Sequence, residues 1–368
     1  MTKQPFFSIV IPTYNRATDL EFALFCILRQ RFYNFEVVIS DNCSTDNTQE
    51  IVAQFKDKRI RYSKTDKTLW NSHNIARAIN KAKGQYIFIH SDDDFLLYNT
   101  SLETIYQEII NYSCGYLRLN YLSMSFNKKN IFAYRVNKPF VVNTYVPKLL
   151  DNNAILGFIV DSDPYFMSGI ILKNSFPKHI TIVDTDPAPW IDMLFYNTYK
   201  FGACFIVEPQ IIAQWSRRKI PKNQVHHIFS LIHGKLRSEG YLHAIKSKVG
   251  KLEYRKFLCK ELYLLYVESF PMVKAKVGNY GLLKLSERIT TIAPELKKKI
   301  SYRFLLLLAL YFPEIFWIIA RTVYLWIYAR VSRPYNYSEL VTILKQLERE
   351  FISSGNQVKR QVSRVFNF

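Results

Sequence analysis

"QYIFIHSDDDFLL", residues 85–97, runs from a strand-like apolar segment straight into three consecutive carboxylates. Tyr, Ile and Phe in unbroken order, entered from Gly84, suit a strand buried on both faces. Three adjacent like charges repel one another, and ending a strand does not require them. A calcium loop is excluded: it needs Gly at its sixth position, and counting from Asp92 puts Leu96 and Leu97 at positions five and six. Two readings remain. One is a solvated acidic loop. The other is a hard divalent cation, Mg2+ or Mn2+, held by one or two carboxylates and leaving sites for water or substrate phosphate.

The flanking sequence favours the cation. FFSIVI reads as a first strand, followed by a helix from about Asp19 to Gln30. FEVVIS (35–40) is a second strand, and Ser44 or Thr45 is placed to cap the helix DNTQEIVAQF. RIRYS (59–63) is a short third strand, and a helix from about Ser72 to Ala82 stops at Gly84 before the fourth. Strands alternating with helices of about ten residues predict βαβ units, an α/β class and a mostly parallel sheet. Ligands of such sheets sit beyond the carboxyl ends of the strands. PTYNR (12–16), SDNCSTDNT (40–48) and SDDD (91–94) all fall there and should meet in one crevice.

Charge divides the chain. Residues 1–215 hold 22 Lys and Arg against 20 Asp and Glu, whereas residues 216–368 hold 28 against 10. That contrast suggests an α/β domain over 1–215 and a basic, α-helical region over 216–368. Five scattered cysteines with no CxxC fit a reducing compartment rather than a disulfide framework or a zinc knuckle. The apolar run near the N-terminus stops at Pro12, too soon for a signal peptide, so a cytoplasmic location is expected. Residues 301–333, SYRFLLLLALYFPEIFWIIARTVYLWIYARVSR, are the most apolar stretch, but Pro313, Glu314 and Arg321 interrupt them. The pattern predicts two helices lying in a membrane interface, with Trp317, Tyr324, Trp326 and Tyr328 at headgroup level. Lys297, Lys298 and Lys299 would meet an anionic surface; a buried helical hairpin and a single tilted span are the alternatives. No nucleic-acid motif is present, and Leu and Ile dominate the aromatic segments, so no nucleic-acid partner is expected.

FSIVIPTYNR, VVISDNCSTDNT, NIARAINKAKGQYIFIHSDDD and a later WID, in this order, resemble a family 2 glycosyltransferase with the GT-A fold, and within it the bacterial O-antigen and polysaccharide sugar transferases. The resemblance covers about residues 6–215. It implies that Pro12, Thr13 and Tyr14 line a nucleotide pocket with Asn15 and Arg16 beside it, and that Asp41 binds the base edge. Asn74, Arg77 and Gly84 match the helix before the acidic element. Asp92 and Asp94 match the family's DxD, with Asp94 the usual direct metal ligand and Asp93 on the donor side.

After FMSGIILKNS (166–175), the family places its general base where a helix opens, which implies Asp192. Relatives often have Glu-Asp where this chain has Ile-Asp, so Asp184 and Asp186 remain rivals. The implied activity is metal-assisted, inverting transfer of a sugar from a nucleotide-sugar donor, a UDP-sugar above all, to a lipid-linked, undecaprenyl-type glycan. The implied place is peripheral, on the cytoplasmic face of a bacterial inner membrane. The alternative is a catalytically inactive GT-A protein that binds glycan or nucleotide. Chemistry agrees in part: a carboxylate such as Asp41 suits the imide N–H of uracil or an exocyclic amine of another base. Asp41 could instead form an Asx turn, Tyr14 could be a packed aromatic, and Arg77 a solvated charge.

Overall fold

The computed structural model describes residues 4–127, 130–135, 140, 142–148, 151–164, 166–177, 188–214, 251–263, 267, 270–313, 315–316, 319, 323 and 337–354. The chain divides into two compact units, one of Met1–Arg217 with Ser332–Phe368 and one of Arg218–Val331.

The first unit is an α/β layer structure. Its opening elements are β1 (Phe7–Thr13), α1 (Ala17–Leu28), β2 (Phe35–Asp41), α2 (Thr48–Gln54), β3 (Ile60–Lys64), α3 (Asn71–Asn80) and β4 (Tyr86–Ile89). Every residue of β1, β2 and β4 is buried, as continuous apolar runs require of strands covered on both faces. There follow β5 (Phe95–Leu96), α4 (Ser101–Tyr112), β6 (Tyr116–Asn127), β7 (Asn130–Arg135), β8 (Thr144–Val146), α5 (Asn152–Asp161), β9 (Ile170–Lys173), α6 (Ile191–Phe201) and β10 (Ala203–Gln214).

The sheet runs β3-β2-β1-β4-β9-β6-β10-β5. Its first four strands are mutually parallel. Beyond them β9 runs antiparallel to both β4 and β6, so the whole sheet is mixed rather than mostly parallel. Gly84 lets two segments touch at the base of β4, since a Cβ there would lie 2.6 Å from the Ser8 amide nitrogen.

Two local expectations change. The cap of α2 comes from neither Ser44 nor Thr45: Asp46 accepts the Thr48 amide at 3.2 Å, while Ser44 Oγ is taken by the Asn15 amide at 2.9 Å. The single basic region expected from 216 to the end is also divided. The last described helix, α10 (Tyr337–Ser353, numbered after three helices of the second unit), carries Leu340, Leu344, Leu347 and Phe351 on one face. They pack with Phe22, Cys26 and Phe95 of the first unit, and Arg29 pairs with Glu350 at 2.6 Å. An amphipathic face must be buried somewhere, and here the outer side of α1 supplies the apolar partner.

The second unit is helical. Its elements are α7 (Lys251–Leu262), α8 (Phe270–Ile292, broken at Gly278 with φ 68°), a 3-10 turn at Pro294–Lys298 and α9 (Ile300–Tyr311). Leu258, Leu262, Phe270, Leu285, Ile289 and Tyr302 form its core. The chain leaves α9 at Pro313, as expected from the interruption there. Glu314, Trp317, Arg321, Tyr324, Trp326 and Tyr328 lie outside the described residues. Among the described residues, no helix is long and apolar enough to cross a membrane.

Candidate functional site

Register brings the polar strand ends together. Pro12 and Thr13 at the end of β1 stand opposite Ser40 and Asp41 at the end of β2. On the other side the His90 amide donates to Val10 O at 3.0 Å, so the acidic turn 91–94 begins level with the last residues of β1.

The loop after β1 is fixed by its own side chains. Asn15 adopts a left-handed conformation (φ 52°), which Asn tolerates better than most residues. Its Oδ1 accepts the Thr45 amide at 2.7 Å, tying this loop to the one after β2. Arg16 pairs with Asp93 and lies 3.7 Å from Asp92. Tyr14 is 42% exposed beside them, open to a ligand rather than packed.

Asp41 is wholly buried, and both its oxygens have partners. Oδ1 accepts the Ser44 amide at 2.8 Å and Oδ2 the Tyr62 hydroxyl at 2.5 Å. It therefore builds the turn after β2. Asn42 next to it holds the following loop through Leu69, accepting its amide at 2.7 Å and donating to its carbonyl at 2.9 Å. That loop opens onto a hollow of about 390 Å³ lined by Lys67, Thr68, Leu69, Trp70 and His73. Asn74 and Arg77 brace α3 against the strand ends. Asn74 exchanges hydrogen bonds with Ser40 at 2.7 and 2.8 Å, and Arg77 donates to Ser40 Oγ at 2.6 Å and Ser63 O at 3.2 Å.

Asp92 and Asp94 are both buried. Burial and the charge of Asp93 outweigh Arg16 and Thr13, and push the Asp92 carboxyl up to about 7. Asp94 is held from the far side of the sheet: Ser168 Oγ donates to Asp94 Oδ2 at 2.5 Å and accepts the Ser91 amide at 2.9 Å. Arg118, fully buried in β6, donates to Ser168 O at 2.5 Å and Ser162 O at 2.8 Å, and stacks over Tyr121 and Phe166. Gly169 (φ 86°) makes room for it, because a Cβ there would sit 3.0 Å from Arg118 Nη1.

Neither Ser168 nor Arg118 was among the expected site residues. The available signal was the arginine in YLRLN, a charge at an inward position of an apolar strand, which demands a buried partner. Asp192 lies in the first turn of α6 and is exposed. Its rivals Asp184 and Asp186 lie outside the described residues.

Residues 8–144 match the family model "Glycosyl transferase family 2". This part of the chain resembles a family 2 glycosyltransferase domain. Glycosyltransferase GlyG of Streptococcus pneumoniae serotype 4 is 31% identical over 137 residues, which are 37% of this chain and 45% of that protein. The putative teichuronic acid biosynthesis glycosyltransferase TuaG of Bacillus subtilis is 28% identical over 125 residues, 33% of this chain and 49% of that protein. A GalNAc(5)-diNAcBac-PP-undecaprenol beta-1,3-glucosyltransferase of Campylobacter jejuni is 32% identical over 107 residues, 28% of this chain and 34% of that protein. The chain thus spans under half the length of these curated relatives. Among solved structures, S. aureus TarS 1–349 in complex with UDP aligns with a TM-score of 0.44 and 16% identity, over 79% of this chain and 91% of that one.

The family match covers the loops after β1 and β2 and the acidic turn, and ends before Ser168 and Asp192. Within the matched segment the carboxylates fit a divalent cation on chemical grounds. Asp92 and Asp94 are buried, hard oxygen donors in one turn, and burial with the charge of Asp93 raises the proton affinity of Asp92 despite Arg16 at 3.7 Å. No group of three or more His, Cys, Asp or Glu forms a closed cage among the described residues. A cation shared with substrate phosphates needs no such cage.

Proposed function

We propose that the chain transfers one sugar from a nucleotide-sugar donor, a UDP-sugar, to a lipid-linked, undecaprenyl-type glycan in the synthesis of a bacterial cell-surface polysaccharide such as O-antigen or capsule. The observation that carries this reading is the meeting of three strand ends, which sets the buried Asp92–Asp94 turn beside the loops bearing Thr13, Tyr14 and Arg16.

In the proposed reaction the acceptor hydroxyl attacks the anomeric carbon in line. A new carbon–oxygen bond forms there, the bond to the diphosphate oxygen breaks, and the nucleotide diphosphate leaves with the electron pair, inverting the configuration. Asp192 takes the acceptor proton, with Asp184 and Asp186 as rivals for that role. Asp94 and Asp92 would hold Mn2+ or Mg2+, which when bound supplies positive charge to the departing diphosphate. Arg16 holds Asp93 and limits repulsion within the acidic turn. Tyr14, being exposed, has a face free for the donor. Asp41 is proposed to shape the nucleotide pocket through its turn and to reach the base edge only by exchanging the Tyr62 hydroxyl. Asn74 and Arg77 are proposed to set the pocket wall by holding α3 against β2. The work is proposed to take place at the cytoplasmic face of the inner membrane, without a spanning anchor among the described residues.

The test is a panel of nucleotide sugars scored first by protection against thermal unfolding with Mn2+, then by transfer of label into an undecaprenyl-linked glycan fraction. One donor that both protects and transfers, with transfer lost in EDTA, is expected. Protection without any turnover assigns the fold to a catalytically inactive binding protein. Protection by no donor overturns the proposal.

A further inference from the structure

Helix α9 is apolar on both sides. Tyr302 (3% exposed) and Ala309 (0%) face the core of the second unit. On the opposite side Ile300, Phe304, Leu307 and Tyr311 are 84%, 59%, 53% and 81% exposed. Spacings of four, three and four residues, at about 100° per residue, stack these four side chains in one narrow stripe along the helix. Ser301 and Arg303 are its exposed polar positions, in the first turn; an apolar stripe on each of two faces needs cover on both, and its own unit provides one. Beyond the Pro313 break, Ile315, Ile319 and Val323 remain 62%, 56% and 48% exposed. The patch is large for a monomer surface, on the order of several hundred Å².

Charge indicates what covers it. Lys297, Lys298 and Lys299 are exposed just before the first turn of α9, and no acidic residue stands in that turn. Cations at a helix N-terminus oppose the macrodipole, so nothing within the helix favours them there. An anionic partner lying along the stripe would meet both the lysines and the N-terminus. A second copy seated stripe to stripe fits poorly, because α9 holds no acidic residue to meet the lysines whether the two helices run parallel or antiparallel. Tyr311, with an apolar ring and a polar hydroxyl, suits the headgroup level of a bilayer, and Phe304 and Leu307 suit insertion below it.

We propose that the Ile300–Phe304–Leu307–Tyr311 stripe is a docking face for an anionic lipid surface, with α9 in the interface plane and Lys297 and Lys298 against the headgroups. The proposal gives the lipid-linked acceptor reading its location, but it is tested without donor or acceptor, so either can fail alone.

The full chain is mixed with vesicles of phosphatidylcholine, with or without phosphatidylglycerol, and floated on a density gradient. Binding to the phosphatidylglycerol vesicles is expected to fall at high salt without vanishing, because screening removes the charge contribution and leaves the insertion. Replacing Lys297 and Lys298 by Glu should remove the anionic preference, each lysine being worth roughly fivefold. Phe304→Asp with Leu307→Asp should reduce flotation at least about tenfold on both vesicle types. Thermal unfolding should stay near the parent value, since both side chains are exposed. A parent chain that stays in the bottom fraction at low salt overturns the proposal, as does a Phe304→Asp, Leu307→Asp variant that floats unchanged. A dimer seen by light scattering and lost in that variant, with no flotation of the parent, assigns the stripe to a second copy instead.

Discussion

Replacing Ser168 by Ala removes one hydroxyl that serves two groups, and its cost can be worked from the structure. The hydroxyl donates to Asp94 Oδ2 at 2.5 Å and accepts the Ser91 amide at 2.9 Å. A hydrogen bond to a charged acceptor contributes about 1.5–3 kcal/mol, and a buried amide left without a partner costs about 1–3 kcal/mol more. Ser91 is half-buried, so water entering at that point recovers part of the second cost, and a net loss of about 2–3 kcal/mol is expected. The backbone stays in place, because Arg118 grips the Ser168 carbonyl and not its side chain. For a unit of this size the loss corresponds to a drop of about 5–10 °C in Tm. The assay is thermal unfolding with and without Mn2+. Ser168→Ala should lower Tm and shrink the protection that Mn2+ gives, because Asp94 loses the contact that orients it. A variant within about 1 °C of the parent in both conditions would refute the idea that Ser168 holds the acidic turn.

Three further outcomes are expected. Asp94→Ala should keep the fold, lose metal-dependent donor protection and lose transfer; normal turnover by this variant, or full parent activity in EDTA, contradicts the metal reading. Asp192→Asn should bind donor as the parent does while transfer slows by about 10²-fold or more; a dead Asp186→Asn beside a near-normal Asp192→Asn moves the base to the preceding loop. Glu21, in α1, has both carboxylate oxygens buried without a hydrogen-bond partner, and burial pushes it up to about 7 from an ordinary 4.5. A raised carboxyl pKa means that the folded state keeps a proton the unfolded chain releases, so stability falls as pH rises from 4.5 towards 7 and stays lowered above that. Glu21→Gln should therefore stabilise the protein by about 1–3 kcal/mol at pH 8 and by little at pH 4.5, as measured by urea unfolding at the two values.

What the sequence by itself determined is whatever depends on near neighbours. The alternation of FFSIVI, FEVVIS and QYIFIH with helices of about ten residues is a local pattern of burial, and it was enough to place the first four strands and the polar clusters at their ends. The acidic turn was legible for the same reason, because its unusual feature is adjacency in the chain. Asp41 shows the limit of that reading. Its place at a strand end could be read from the sequence, but its engagement by Tyr62, which lies 21 residues on, could not.

The tertiary structure alone decided three things. It brought Ser168 to Asp94 across 74 residues. It inserted β9 antiparallel between β4 and β6, making the sheet mixed. It returned α10 to the outer side of α1, against Phe22 and Phe95. Each depends on which distant surface is free and complementary once the sheet has formed. An apolar face at 3.6-residue spacing states only that it must be covered, whereas the partner is chosen by the shape and charge of the whole assembled layer.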